Sequence, residues 1–94
     1  MKGNYYQALK TFLADHMRET RKELKLTQAQ MAEKLELDIR SYSNVENAKS
    51  LCSTITLLHY LLHVCTDVPA LLDELKSLMD SMKKEPESEK EKKI

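Results

Sequence analysis

The stretch Thr27–Lys49, TQAQMAEKLELDIRSYSNVENAK, decides how this chain is read. It holds two short amphipathic helical patterns separated by a tight break. Thr27 predicts an N-cap, because its hydroxyl can accept a free amide of the next turn, and Met31, Ala32 and Leu35 supply the inward face of the short helix that follows. Glu36-Leu37 forms the break. Asp38 predicts the next N-cap, where its charge suits the positive end of the helix, and opens a helix through about Glu46 with Tyr42 and Val45 inward. Asn47-Ala48-Lys49-Ser50 reads as a loop.

On the N-terminal side, Tyr6, Leu9, Leu13, Met17, Thr20 and Leu24 fall at three- and four-residue steps, which predicts one long helix from Asn4 to about Lys25. On the C-terminal side, Ser53 or Thr54 caps a fourth helix to about Val64. Leu57, Tyr60, Leu61 and Val64 make one of its faces, and Leu58, Leu62 and Cys65 make a second. A helix apolar on two sides needs partners on both. After Thr66-Asp67 a fifth helix begins with Pro69 in its first turn, where a missing amide costs little. Its stripe is Val68, Leu71, Leu72, Leu75, Leu78, Met79 and Met82, with Asp73 and Glu74 early and Lys83 and Lys84 late. The expected organisation is a domain over 4–65, an amphipathic helix over 66–84 that packs on the domain or dimerises, and a disordered charged tail over 85–94.

Composition agrees with an all-α chain. The 94 residues include one Gly, two Pro and five aromatic residues, with no alternation of the kind a sheet requires. That length supports one core and no second domain of ordinary size. No apolar run approaches the ~20 residues of a membrane span, and the N-terminus lacks a signal-peptide pattern, so a soluble, cytoplasmic protein is expected. Cys52 and Cys65 lack metal-ligand spacing and read as free thiols. Fifteen Lys and Arg against fifteen Asp and Glu give no net charge, so any attraction for a polyanion has to be a local patch.

Residues 13–65 resemble the Cro/repressor type, XRE-like, helix-turn-helix domains. The residues that carry the resemblance are Arg18 and Arg21; Thr27-Gln28; Ala32 and Leu35; Glu36-Leu37-Asp38; Glu46-Asn47-Ala48-Lys49; and Leu57 through Val64. It implies a five-helix, lambda-repressor-like DNA-binding fold with a C-terminal amphipathic helix. It also implies phosphate contacts from Gln28, Asn47 and Lys49, and a buried ion pair of Arg21 with Glu46 that orients the recognition helix. Three positions depart from the pattern. Glu36 and Ala48 stand where glycine is usual, so either the turn is reshaped, shifting the register of Asp38 to Lys49 by one, or the chain carries roughly 1–2 kcal/mol of strain at each. Tyr42 stands where a branched aliphatic is common, and its hydroxyl requires a partner.

Projecting residues 38–47 onto a helix separates the roles by geometry alone. Ile39, Arg40, Ser43, Asn44 and Asn47 lie opposite Tyr42 and Val45. Arginine can grip guanine O6 and N7, asparagine adenine N6 and N7, and isoleucine the thymine methyl. Ile39, Arg40, Ser43 and Asn44 are therefore the candidate base readers. His59 and His63 share a helical face at zinc-ligand spacing, but Tyr60 stands where the metalloprotease signature needs Glu, so no metal is expected. No Gly-rich phosphate loop or nucleophile–base motif is present. Neither a catalytic residue, a cofactor nor a small-molecule substrate is expected.

The spare apolar surface predicts a homodimer through Leu58, Leu62, Leu71, Leu75, Leu78 and Met82, with two recognition helices about one DNA turn, ~34 Å, apart. The expected function is a transcriptional regulator, a repressor on double-stranded DNA. The competing reading is a protein-interaction module on the same fold, antirepressor or antitoxin-like, with weak or no DNA binding; the neutral charge and unusual turn favour it.

Overall fold

The computed structural model describes residues 2–83; Lys84 and the tail over 85–94 lie outside them. Among the described residues five helices follow one another and there is no strand. They are α1 (Lys2–Glu23), α2 (Gln28–Lys34), α3 (Ile39–Glu46), α4 (Thr54–His59), which runs on into a wide π turn (Tyr60–Val64), and α5 (Val68–Lys83). The first helix begins and ends two residues before the Asn4–Lys25 bounds expected from its stripe.

Each short helix starts on a side-chain cap. Thr27 Oγ1 accepts from the Gln30 amide at 3.1 Å while Gln30 Oε1 accepts from the Thr27 amide at 2.8 Å, which satisfies two otherwise free donors reciprocally. Asp38 accepts from the Ser41 amide at 3.3 Å and from the Ser41 hydroxyl at 2.7 Å. These bonds hold the Asp38 carboxyl below its ordinary range. Ser53 accepts from the Thr56 amide, and Asp67 from the Ala70 amide at the start of α5.

The helix ends share a second device. Lys25, Glu36 and Ala48 all adopt left-handed φ, at 59°, 59° and 60°. Around each, the following amide reaches back five residues to close the helix, as Leu26 to Arg21, Leu37 to Ala32 and Lys49 to Asn44. The left-handed residue itself bonds three back, as Lys25 to Lys22, Glu36 to Glu33 and Ala48 to Val45. This paired closure satisfies carbonyls that a helix end leaves free, and it ordinarily uses glycine. The turn is thus kept and the strain accepted: α3 runs from an Asp38 cap with no shift in register. Lys25 is a third such position, which the reading of the sequence did not single out.

Met17, Met31, Ala32, Leu35, Tyr42, Val45, Tyr60, Val64 and Leu71 form the buried cluster. It draws on all five helices, so α2 and α3, too short to persist alone, gain their stability from packing. Tyr60 anchors α4 to α1, its buried hydroxyl lying 2.6 Å from His16 Nδ1 and 2.7 Å from Thr20 Oγ1. Burial pushes its ionisation up. Leu71, only 1 % exposed, seats α5 in the core. The six-residue dimer surface expected from the sequence is corrected on this point, because a side chain already inside its own monomer has no surface to offer a second copy. Leu58 and Leu62 are 48 % and 72 % exposed, so α5 does not cover them. Leu75, Leu78 and Met82 are half-buried.

Strain at Ala48 gives a direct prediction. Relieving roughly 1–2 kcal/mol of left-handed backbone cost, less the ~0.5–1 kcal/mol that glycine loses through its freer unfolded state, Ala48→Gly should stabilise by about 0.5–1 kcal/mol. Thermal unfolding followed by circular dichroism should place its Tm roughly 3–5 °C above the parent. An unchanged or lower Tm would mean that the left-handed turn carries no net strain.

Candidate nucleic-acid interface

Everything that fixes α3 converges on Glu46, in its last turn. Its side chain is only 2 % exposed. Arg21 Nε, from α1, donates to Glu46 Oε2 at 2.7 Å, and the Tyr42 hydroxyl donates to the same oxygen at 3.1 Å. Gln28 Nε2, from the first turn of α2, donates to Oε1. Three helices therefore each supply one donor to one carboxylate. Burial pushes the Glu46 carboxyl up, but the bonds from Arg21, Gln28 and Tyr42, with the charge of Arg21, outweigh it and hold the group below its ordinary value. The bond to Glu46 in turn pushes the Arg21 guanidinium up, burial acting against it. Burial first, then the neighbouring Glu46 charge, raises the ionisation of Tyr42.

Arg18, one of the residues that carry the family resemblance, adds a second grip. Its Nη1 donates to the Glu46 backbone carbonyl at 3.2 Å, and its Nη2 pairs with Asp15. A cation at the C-terminal end of a helix satisfies a free carbonyl and complements the dipole. Arg21 also donates through Nη1 to the Leu26 carbonyl at 3.0 Å, tying the α1–α2 connection to the same cluster. With the helix held at that end, its opposite face is left to solvent. Ile39 is 50 % exposed, Arg40 and Asn47 are exposed, and Ser43 and Asn44 are half-buried. Asn47 Nδ2 donates to Ser43 Oγ at 3.3 Å, so these two hydroxyl and amide groups are linked on the outer surface. Lys49 is exposed just past the left-handed Ala48.

Among the described residues no group of three or more His, Cys, Asp or Glu is arranged to hold a metal ion. His59 and His63 stack edge to face, 5.9 Å between ring centroids. Cys52 and Cys65 are free, and burial pushes the Cys52 thiol up, away from reactivity. No described helix is long and apolar enough to cross a membrane.

A buried-anchored helix after a tight turn, with a polar outer face, is the geometry to set beside known families. The family model described as Helix-turn-helix matches residues 17–58, a little under half the chain. Residues 17–58 thus match a helix-turn-helix family of the XRE type. With five helices and no strand among the described residues, the fold is all-α and lambda-repressor-like. The helix-turn-helix family is one of DNA-binding regulators. No curated protein and no solved structure matches the chain.

Within this helix-turn-helix Gln28 divides its side chain between the interior and the surface. Its amide is turned inward onto Glu46, because a buried carboxylate oxygen with no other donor is a stronger acceptor than water. As a side-chain donor, only the second hydrogen on Nε2 remains for an outside acceptor such as a phosphate. The inward side of the site held signals that spacing alone can carry: Thr27 and Gln30 fit the reciprocal cap pattern, and Tyr42 and Glu46 are one turn apart. The contact of Arg18 with a backbone carbonyl has no such signal.

The depressed Glu46 ionisation fixes a sign for pH. A carboxylate with a lowered folded value adds stability above its unfolded value, near 4.5, and loses it as pH falls through the folded value. Urea midpoints between pH 7 and pH 3 should therefore fall further for the wild type than for Glu46→Gln, which cannot ionise. Parallel curves would show that the Glu46 charge adds nothing to the folded state.

Proposed function

We propose that this protein is a sequence-specific repressor that occupies operator DNA as a homodimer in the cytoplasm and catalyses no reaction. The observation that carries this reading is the outer face of α3, an exposed Ile39 beside Arg40 on a helix anchored from behind at Glu46. An apolar side chain left open at the start of such a helix gains by packing on a thymine methyl, and Arg40 beside it can take guanine O6 and N7. Asn44 suits adenine, and Ser43 either donates or accepts. Asn47 and Lys49, past the end of α3, would contact phosphates, with Gln28 adding its second amide hydrogen.

Five of the fifteen acidic residues are gathered away from α2 and α3, while Glu33, Glu36, Asp38 and Glu46 lie within or beside those helices. Asp15, Glu19, Glu23, Asp67 and Glu74 line one groove between α1 and the start of α5. None of them belongs to α2 or α3. The dimer reading rests on Ile55, Leu58, Leu62 and Leu72, exposed large apolar residues of α4 and α5. Next to them runs an apolar groove lined by Leu9, Leu57, Leu61, Leu75 and Met79. Surfaces of that kind mark interaction sites, and a second copy is the partner always present. The same surface favours the second reading, a module that grips a different protein through α4 and α5.

Selection from a pool of randomised duplexes should yield a preferred sequence for the wild type. On it, Arg40→Ala and Asn44→Ala should each lose about 1–3 kcal/mol of binding, whereas Lys49→Ala should weaken all sequences alike and reduce the salt slope by about 0.9. Failure of the wild type to prefer any duplex would rule out direct readout. Sedimentation equilibrium should show a dimer at micromolar concentration that Leu58→Asp and Leu62→Asp convert to monomer. A wild type that is monomeric there would remove the dimer and leave the partner-protein reading.

A further inference from the structure

Tyr42 is the one donor to Glu46 that belongs to the same helix as its acceptor. We propose that its hydroxyl is a positioning group that sets the roll of α3 about its own axis, and so decides which side chains that helix turns towards DNA. Only the last step of this proposal rests on the DNA-binding reading.

Arg21 and Gln28 by themselves do not set the roll of α3. Both tie Glu46 to other helices, but the connection to the α3 backbone runs through the rotatable bonds of the glutamate side chain. A tether of that kind limits distance more than rotation, and the Arg18 bond to the Glu46 carbonyl holds only one point at the end of α3. Tyr42 lies one turn earlier on the same helix, with a ring that is 0 % exposed and so is held by packing. Its hydroxyl meets Glu46 Oε2 at 3.1 Å, the oxygen that also receives Arg21 Nε at 2.7 Å. One oxygen is thereby bound both to its own helix and to α1. The carboxylate becomes a strut between the two, and the roll of α3 is fixed as well as its distance. Phenylalanine would fill the same space and lose only the lock. Ile39, Arg40, Ser43 and Asn44 spread over a wide arc of the helix, so a small roll changes which of them face a groove together.

The test uses the full chain and two variants, Tyr42→Phe and Gln28→Ala. Each removes one donor from Glu46, but only the first removes the bond internal to α3. Residual dipolar couplings of the α3 amides, fitted in the frame of α1, should depart from the wild-type fit in Tyr42→Phe and keep it in Gln28→Ala. On the duplex that wild type selects, Tyr42→Phe should lower the ratio of specific to non-specific affinity about fivefold, the low end for one lost base contact, with non-specific affinity unchanged. Retention of the α3 couplings in Tyr42→Phe overturns the proposal whatever the DNA result. Equal departures in both variants also overturn it, because loss of any donor would then suffice. If wild type selects no duplex, the DNA reading falls by itself and the couplings still decide the role of Tyr42.

Discussion

A carboxylate closed off from water is costly unless it is paired and hydrogen-bonded, and the arrangement of the first three helices follows from meeting that condition at Glu46. Arg21 of α1, Gln28 of α2 and Tyr42 of α3 each supply one bond, and Arg18 holds the backbone carbonyl of the same residue. Two of these helices are only seven and eight residues long, below the length at which a helix persists in water. Packing of Met31, Leu35, Tyr42 and Val45 gives them stability. The bonds at Glu46 give them direction, which apolar packing, being non-directional, supplies less well.

Backbone strain is the counterpart of that precision. Lys25, Glu36 and Ala48 end three successive helices in the left-handed region without glycine. In each case the paired closing bonds satisfy carbonyls that solvent or nothing would otherwise meet. The connections before and after α3 are both of this kind, so its entry and exit are short and fixed. A looser connection would relieve the strain and leave the orientation of α3 to Glu46 alone.

Charge and apolar surface are sorted in a way that the totals conceal. The chain is neutral, yet five acidic side chains share one groove against α1 and α5. On α4 the inward positions Tyr60 and Val64 are buried while Ile55, Leu58 and Leu62 remain open. On α5, Leu71 is spent on the core and Leu72 is exposed beside it. One apolar stripe thus serves two purposes, divided between adjacent residues.

How much of this was legible follows from the range over which each signal acts. Helix positions, the caps at Thr27 and Asp38, and the division of α3 into inward and outward residues are properties of neighbouring residues, and the sequence by itself determined them, while the choice of Ser53 over Thr54 as the cap of α4 came from the structure. The sequence also determined the need for left-handed backbone at Glu36 and Ala48, through the resemblance to a glycine-using pattern. Whether that need would be met by strain or by a shifted register depended on the whole packing, since the cost at one residue is set against every contact that a shift would break. The inward turn of the Gln28 amide, the Arg18 bond to a carbonyl and the burial of Leu71 beside an open Leu72 were likewise decided only by the tertiary structure. Periodicity states that a helix has an apolar face; how far a neighbouring helix covers it, and which donor comes within reach of a buried oxygen, depend on distances between elements far apart in the chain.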